Sequence, residues 1–330
     1  MKKFVNNVEN ILTESLTGFG EAHSDIINVN ISPDFIFRKL KSNNPKVSLI
    51  SGGGSGHEPL HGGFVGYGML DAACPGQVFS APTPDQMEAA AKHVDNGKGV
   101  LFIVKNYSGD IMNFEMGADM LDLESQTIIV NDDVAVEDST FTSGRRGVAG
   151  TMIVEKTVGS LAESGATLDE CKKFGDHVNK MTASMGIAFT SCTVPAAGKP
   201  TFVIGSDEME FGVGIHGEPG RKREKIRSAD EIVSDLMSAI LEDLKPNNNQ
   251  EVLLHANGFG GTPLMELYLL FNSAKKILDQ KNIKITRSLV GNFTTSLDMA
   301  GGSLTITKLD DNIIKHWDSP VHTAALRWKI

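Results

Sequence analysis

The sequence predicts an α/β protein of two domains, the first built on a mostly parallel sheet covered by helices, the second a smaller α/β unit. Three observations carry this. Apolar runs without alternation, GVLFIV at 99–104 and QTIIVN at 126–131, alternate with stretches of helical character, as expected for strands buried on both faces. Helix starts are spelled out: in TPDQ, Thr83 is an N-cap, Pro84 suits the first helical position and Gln86 closes a capping box. The chain has 330 residues, more than one compact core readily holds.

Taken in order, Phe4, Val8, Ile11 and Leu12 predict a helix over Phe4–Gly18. KVSLI at Lys46–Ile50 reads as a buried strand running into glycines, and GQVFS at Gly76–Ser80 as a second strand. After the strand at 99–104, a helix is expected over Ile111–Leu121. Helices follow near 150–164 and 168–181, the latter opened by TLDE. MGIAFTSC at Met185–Cys192 opens the second unit, so the boundary is placed near Ser184, dividing the chain into 1–183 and 184–330. Beyond it, MEFGVGIHGEPG at Met209–Gly220 reads as a glycine-rich strand, and SADE at Ser228–Glu231 caps a helix reaching Leu244. A strand at EVLLHANG runs into a second glycine loop, then a helix over Leu264–Leu278. Strands near Ile283–Leu289 and Leu304–Thr307 complete the unit.

The net charge of −10 argues against direct nucleic-acid binding. The basic run GRKREKIR at 220–227 reads as a solvated segment leading into a helix. Three scattered cysteines fit a reducing compartment. The N-terminus has no signal-peptide h-region and no apolar run is long enough for a membrane span, so a cytoplasmic protein is expected.

The stretch ISGGGSGHEPLH at 50–61 admits several readings. Its glycine spacing does not fit a Rossmann loop, and no Gly-Lys-Ser/Thr follows for a Walker loop. His57 and His61 match H-E-x-x-H, but Pro59 between them costs a helix interior roughly 3 kcal/mol, so the two imidazoles cannot share a regular helical face. No metal site is expected. The remaining reading is a small-molecule pocket at the carboxyl edge of a parallel sheet. KNYSGD brings Lys105 and Asp110 to that edge, although Asp110 also suits a helix N-cap. GVGIHGEPG presents His216 in a setting with no polar partner apparent.

SGGGSGHEP, CPG, KNYSGD, GRRGVAGT, TVPAAGKP, EFGVGIHGEPG, TSLDM and PVHT closely resemble the dihydroxyacetone kinase substrate-subunit family, DhaK, over the length of the chain. The resemblance implies two α/β domains and a homodimer. It implies that His216 forms a covalent hemiaminal with dihydroxyacetone, and that Gly54, Ser55, Gly56, His57, Lys105 and Asp110 bind the sugar. His57 and Asp110 are then the acid/base candidates. A six-atom ligand gains at most about 1.5 kcal/mol per atom, so a reversible bond adds affinity and rejects glycerol, which lacks the carbonyl. An apolar, unpaired setting would keep His216 neutral and nucleophilic.

The sequence contains no Walker or protein-kinase motif, so no cofactor is expected on this chain. The resemblance implies ADP/ATP with magnesium on a partner subunit, DhaL, recharged by DhaM in a phosphoenolpyruvate-dependent phosphotransferase system. The sequence departs from the family at HANGFGG (255–261) and at Gly302 in SLDMAGGS. These departures keep a second reading open: a DhaQ-like coactivator that senses dihydroxyacetone for the transcription factor DhaS.

Overall fold

The computed structural model describes residues 2–135, 142–218 and 220–330. Helix α1 (Ile11–Ala22) leads into β1 (Ile27–Asn30), β2 (Phe35–Arg38), β3 (Lys46–Ser55), β4 (Gly66–Tyr67) and β5 (Ala72–Val78). Next come α2 (Pro84–Val94), β6 (Gly97–Lys105), α3 (Ser108–Asp119), β7 (Ser125–Val130), α4 (Gly150–Glu163) and α5 (Leu168–Lys180). Six strands form one sheet in the order β1-β2-β5-β3-β6-β7. β5, β3, β6 and β7 run parallel, and β1 and β2 are an antiparallel edge.

The run to β5 goes to one side of β3 and the run to β6 to the other. A crevice therefore opens at the carboxyl end of β3, where open α/β sheets bind ligands. α2 and α3 bury Ile50, Val100 and Phe102 on one face, while α4 and α5 bury Leu49, Leu101 and Ile103 on the other.

The second sheet uses β8 (Thr182–Ala188), β9 (Glu208–Phe211), β10 (Lys222–Lys225), β11 (Glu251–Gly258), β12 (Lys284–Gly291) and β13 (Gly301–Lys308). Its order is β10-β9-β8-β13-β11-β12, antiparallel except for β11 with β12. α6 (Ala229–Leu244) and α7 (Leu264–Gln280) cover one face. α4 packs against strands of both sheets and buries polar side chains along with apolar ones. Those polar groups need partners: Lys156 Nζ donates to the His316 carbonyl at 2.8 Å and Thr157 Oγ1 to that of Ile153 at 2.8 Å. After β13 the chain returns to the first sheet. α8 (Asp311–Trp317) contributes Ile313 and Trp317 to the core beneath α4, and β14 (Val321–Thr323) joins β4 and β15 (Arg327–Trp328) in a small sheet.

Several elements differ from expectation. The first helix starts at Ile11, after a short 3₁₀ turn in which the Asn7 side chain caps Glu9 N–H, and Phe4 is fully exposed. The second strand spans 72–78 rather than 76–80. The stretch expected as a strand over 209–220 is β9 only to Phe211; the rest is a loop, with Pro219 outside the described residues. The basic run contains β10, an edge strand whose Arg223 and Lys225 pair with Glu210 and Asp207, a charged edge that resists further strand pairing. β1 and β2 were not anticipated.

Candidate functional site

The end of β3 shows why this sequence needs glycines. A Cβ on Gly53 would lie 2.2 Å from Lys105 Nζ, and one on Gly54 2.6 Å from the backbone nitrogen of Ser80. Ser55 Oγ donates to the Gly76 carbonyl at 2.7 Å, and the Gly56 N–H is held by the Glu58 carboxylate at 3.0 Å. The segment 57–61 is a turn, not a helix. His57 and His61 engage different partners: His57 Nδ1 lies 2.7 Å from the Thr295 carbonyl, and His61 Nδ1 lies 2.5 Å from Glu155 Oε1.

A carbonyl only accepts, so His57 carries its proton on Nδ1 and presents a lone pair on Nε2. That Nε2 is buried without a partner. Burial, then the neighbouring His216 and Lys105, hold this imidazole well below its usual 6.5, which favours the neutral ring. The ring stacks on Phe79 (5.0 Å, 14°) and meets His216 edge-on at 4.7 Å.

β6 delivers Lys105 fully buried to the same edge. Its Nζ donates to the Gly52 carbonyl at 3.2 Å and lies 3.7 Å from Asp110 Oδ2. Asp110 is not the cap of α3. Tyr107 holds that position, and Asp110 sits inside the first turn, where the helix dipole favours a carboxylate. Burial nevertheless raises its pKa, against the pull of Lys105 and His216.

His216 comes from the loop after β9, shaped by Gly212 (φ 76°) and Gly217 (φ 74°), both left-handed. Its setting is not unpaired. Glu218 Oε2 accepts the His216 backbone N–H at 2.9 Å, and Oε1 lies 3.9 Å from the ring Nδ1. The Tyr107 hydroxyl donates to Glu218 Oε1 at 3.3 Å, and Tyr107 meets the His216 ring edge-on at 4.4 Å. Arg146, wholly buried, pairs with Asp133 at 2.6 Å, donates to the Gly212 carbonyl at 2.7 Å and lies 3.7 Å from Glu218. Burial works against ionisation of Glu218, but His216 and Arg146 outweigh it and hold the carboxyl down at about 2.

Three segments far apart in sequence, at His57, at Lys105 and Asp110, and at His216, thus come together. Glu218, Tyr107, Arg146 and Thr295 were overlooked as site residues, although each lies inside a motif already singled out: HGEPG, KNYSGD, GRRG and TSLDM. An acid two residues after the histidine was the available signal. A cavity of about 470 Å³ opens on the glycine loop at Gly53–Gly56 and is lined on its other side by Leu16, Phe19 and Ile36. It reaches His61 but not Lys105, Asp110 or His216.

A mostly parallel open sheet with a histidine, lysine and aspartate at its carboxyl edge, faced by a histidine loop from a second sheet, defines an α/β protein with a candidate small-molecule site. The Dak1 domain matches residues 17–325, and the chain belongs to that family. It is 44% identical, over 99% of each chain, to the "PEP-dependent dihydroxyacetone kinase, dihydroxyacetone-binding subunit DhaK" of Escherichia coli K12. It is 46% identical, over 98% of each, to the PTS-dependent DhaK subunit of Lactococcus lactis. Among solved structures, the "Dihydroxyacetone kinase operon co-activator Dha-DhaQ" superposes with a TM-score of 0.89 at 32% identity, covering 94% of this chain and 97% of the other. No helix among the described residues is long and apolar enough to cross a membrane.

Proposed function

We propose that this chain is the dihydroxyacetone-binding subunit of a phosphotransferase-dependent kinase. It holds the triose as a hemiaminal on His216 and presents a terminal hydroxyl to a partner subunit carrying ADP/ATP and magnesium. The observation that carries this reading is the meeting of His216 with His57, Lys105 and Asp110 at one sheet edge. Identity of 44–46% to subunits named for this role supports it.

The chemistry follows from the contacts. As Nε2 of His216 bonds the ketone carbon, the C=O π pair moves onto the ketone oxygen, and the ring gains a positive charge that Glu218 beside Nδ1 stabilises. Lys105 offers an N–H to a substrate oxygen. The unpartnered Nε2 of His57 is placed to take the proton of the terminal hydroxyl as phosphorus approaches, with Asp110 as the second acceptor at the site. Asp110→Asn should spare the adduct; if Asp110 is the base, it should slow transfer by about 10²- to 10⁴-fold, and if His57 is the base that loss falls on His57→Asn instead.

The test is phosphoryl transfer in the presence of the nucleotide-carrying subunit and a phosphate donor. Dihydroxyacetone phosphate is the expected product, and its absence contradicts the reading. The likeness to the co-activator favours a second reading, a triose-dependent complex with a transcription factor. That reading takes over if transfer fails and such a complex forms.

A further inference from the structure

Behind the site, Lys105 forms a row with two buried ionisable groups that the proposed chemistry does not use, His61 and Glu155. Lys105 Nζ is 2.8 Å from His61 Nε2, and His61 Nδ1 is 2.5 Å from Glu155 Oε1. Ser51 Oγ, 2.9 Å from the same Nδ1, spends its own hydrogen on the Ile103 carbonyl at 2.6 Å, so towards His61 it can only accept. The side chains of Lys105 and Glu155 are wholly buried and that of His61 nearly so.

The two gaps restrict the protons. Each contact needs one hydrogen between its heavy atoms, and the imidazole has only two nitrogens, one per gap. Counting a carboxylate, an imidazolate, a neutral amine and two shared protons gives a net charge of zero, whichever atom owns each proton. The amine keeps two further hydrogens. One points to the Gly52 carbonyl, and the other is left for the side where Asp110 stands. Burial, then Lys105, drives the His61 imidazole well below its usual 6.5, consistent with a ring that is not a cation. Burial pushes the Glu155 carboxyl up to about 8, with Lys105 opposing, which pulls the shared proton toward Glu155 and makes the tautomer of His61 the decisive readout.

We propose that Glu155 and His61 are positioning residues for Lys105: Glu155 accepts from His61 Nδ1, which turns the Nε2 lone pair toward Lys105, neutralises the buried ammonium and aims its last N–H at the triose. The proposal rests on the reading that Lys105 binds the triose. Groups facing this row are His57 and Ser51 from the β3 side, Lys105 from β6, Asp110 from α3 and Glu155 from α4.

The test combines ¹⁵N-histidine NMR of the wild-type protein with calorimetry of dihydroxyacetone binding to Glu155→Met, Glu155→Gln and Lys105→Met. Wild-type His61 should show its proton on Nδ1 and a hydrogen-bonded, unprotonated Nε2. Glu155→Met should lose that fixed tautomer and bind about 10- to 100-fold more weakly, the usual scale for a partner that orients a site residue. Glu155→Gln, whose amide oxygen still accepts from Nδ1, should keep the tautomer and recover part of the affinity. A wild-type His61 protonated on Nε2 overturns the proposal without any variant. So does a Glu155→Met protein of wild-type affinity when Lys105→Met has lost binding. If Lys105→Met binds normally, the triose reading of Lys105 fails instead.

Discussion

The two sides of the site are held by different forces. On the first sheet, His57, Lys105 and Asp110 sit at the ends of regular elements, buried and fixed by hydrogen bonds to carbonyls of Thr295 and Gly52. On the other side His216 stands on an irregular loop, its side chain 15% exposed, tied down by Glu218, Arg146 and Asp133. The comparison teaches that added volume should jam the sheet side, whereas a lost charge should loosen the loop.

The largest effect should come from the charges. Arg146→Met leaves Asp133 and Glu218 buried without their cation, which should cost about 3–5 kcal/mol in urea unfolding. A loss below 1 kcal/mol would erase the distinction. Next comes volume: Gly53→Ala places a methyl on the path of Lys105 Nζ and should weaken triose binding by about 10²-fold, the scale of a 1 Å misplacement, with unfolding affected less.

A smaller, pH-dependent effect belongs to Glu218. Its folded pKa of about 2 lies below the ordinary 4.5, so the stability it adds is present above 4.5 and lost as pH falls toward 2. The gap between wild type and Glu218→Gln, followed by acid titration of unfolding, should close over that window. A gap unchanged by pH would show that Glu218 acts by shape alone. Smallest of all, Lys225→Ala removes an exposed pair with Asp207 and should stay within about 0.5 kcal/mol of wild type.

The sheet side was the more legible in sequence. The apolar runs of β6 and β7, the KVSLI start of β3 ahead of its glycines and the capping box at Thr83 are local signals, and all four sit where they were expected. Pro59 was enough to show that His57 and His61 do not lie on one helix. The loop side was only half legible: His216 stood out, but its partners Arg146 and Asp133 come from segments tens of residues away, and no spacing rule links them. The same holds for Glu155, hidden within an otherwise ordinary helix. β1 and β2 are four residues each, too short for a periodic signal, and the return of β14 to β4 is a pairing across most of the chain.

The covalent role of His216 is tested most directly by NMR of dihydroxyacetone labelled with ¹³C at the carbonyl carbon. Bound to the wild-type protein, that carbon should leave the ketone region for the range of a saturated carbon bearing nitrogen and oxygen, and His216→Ala should abolish the change. A bound triose that keeps its ketone signal in the wild-type protein would contradict the account.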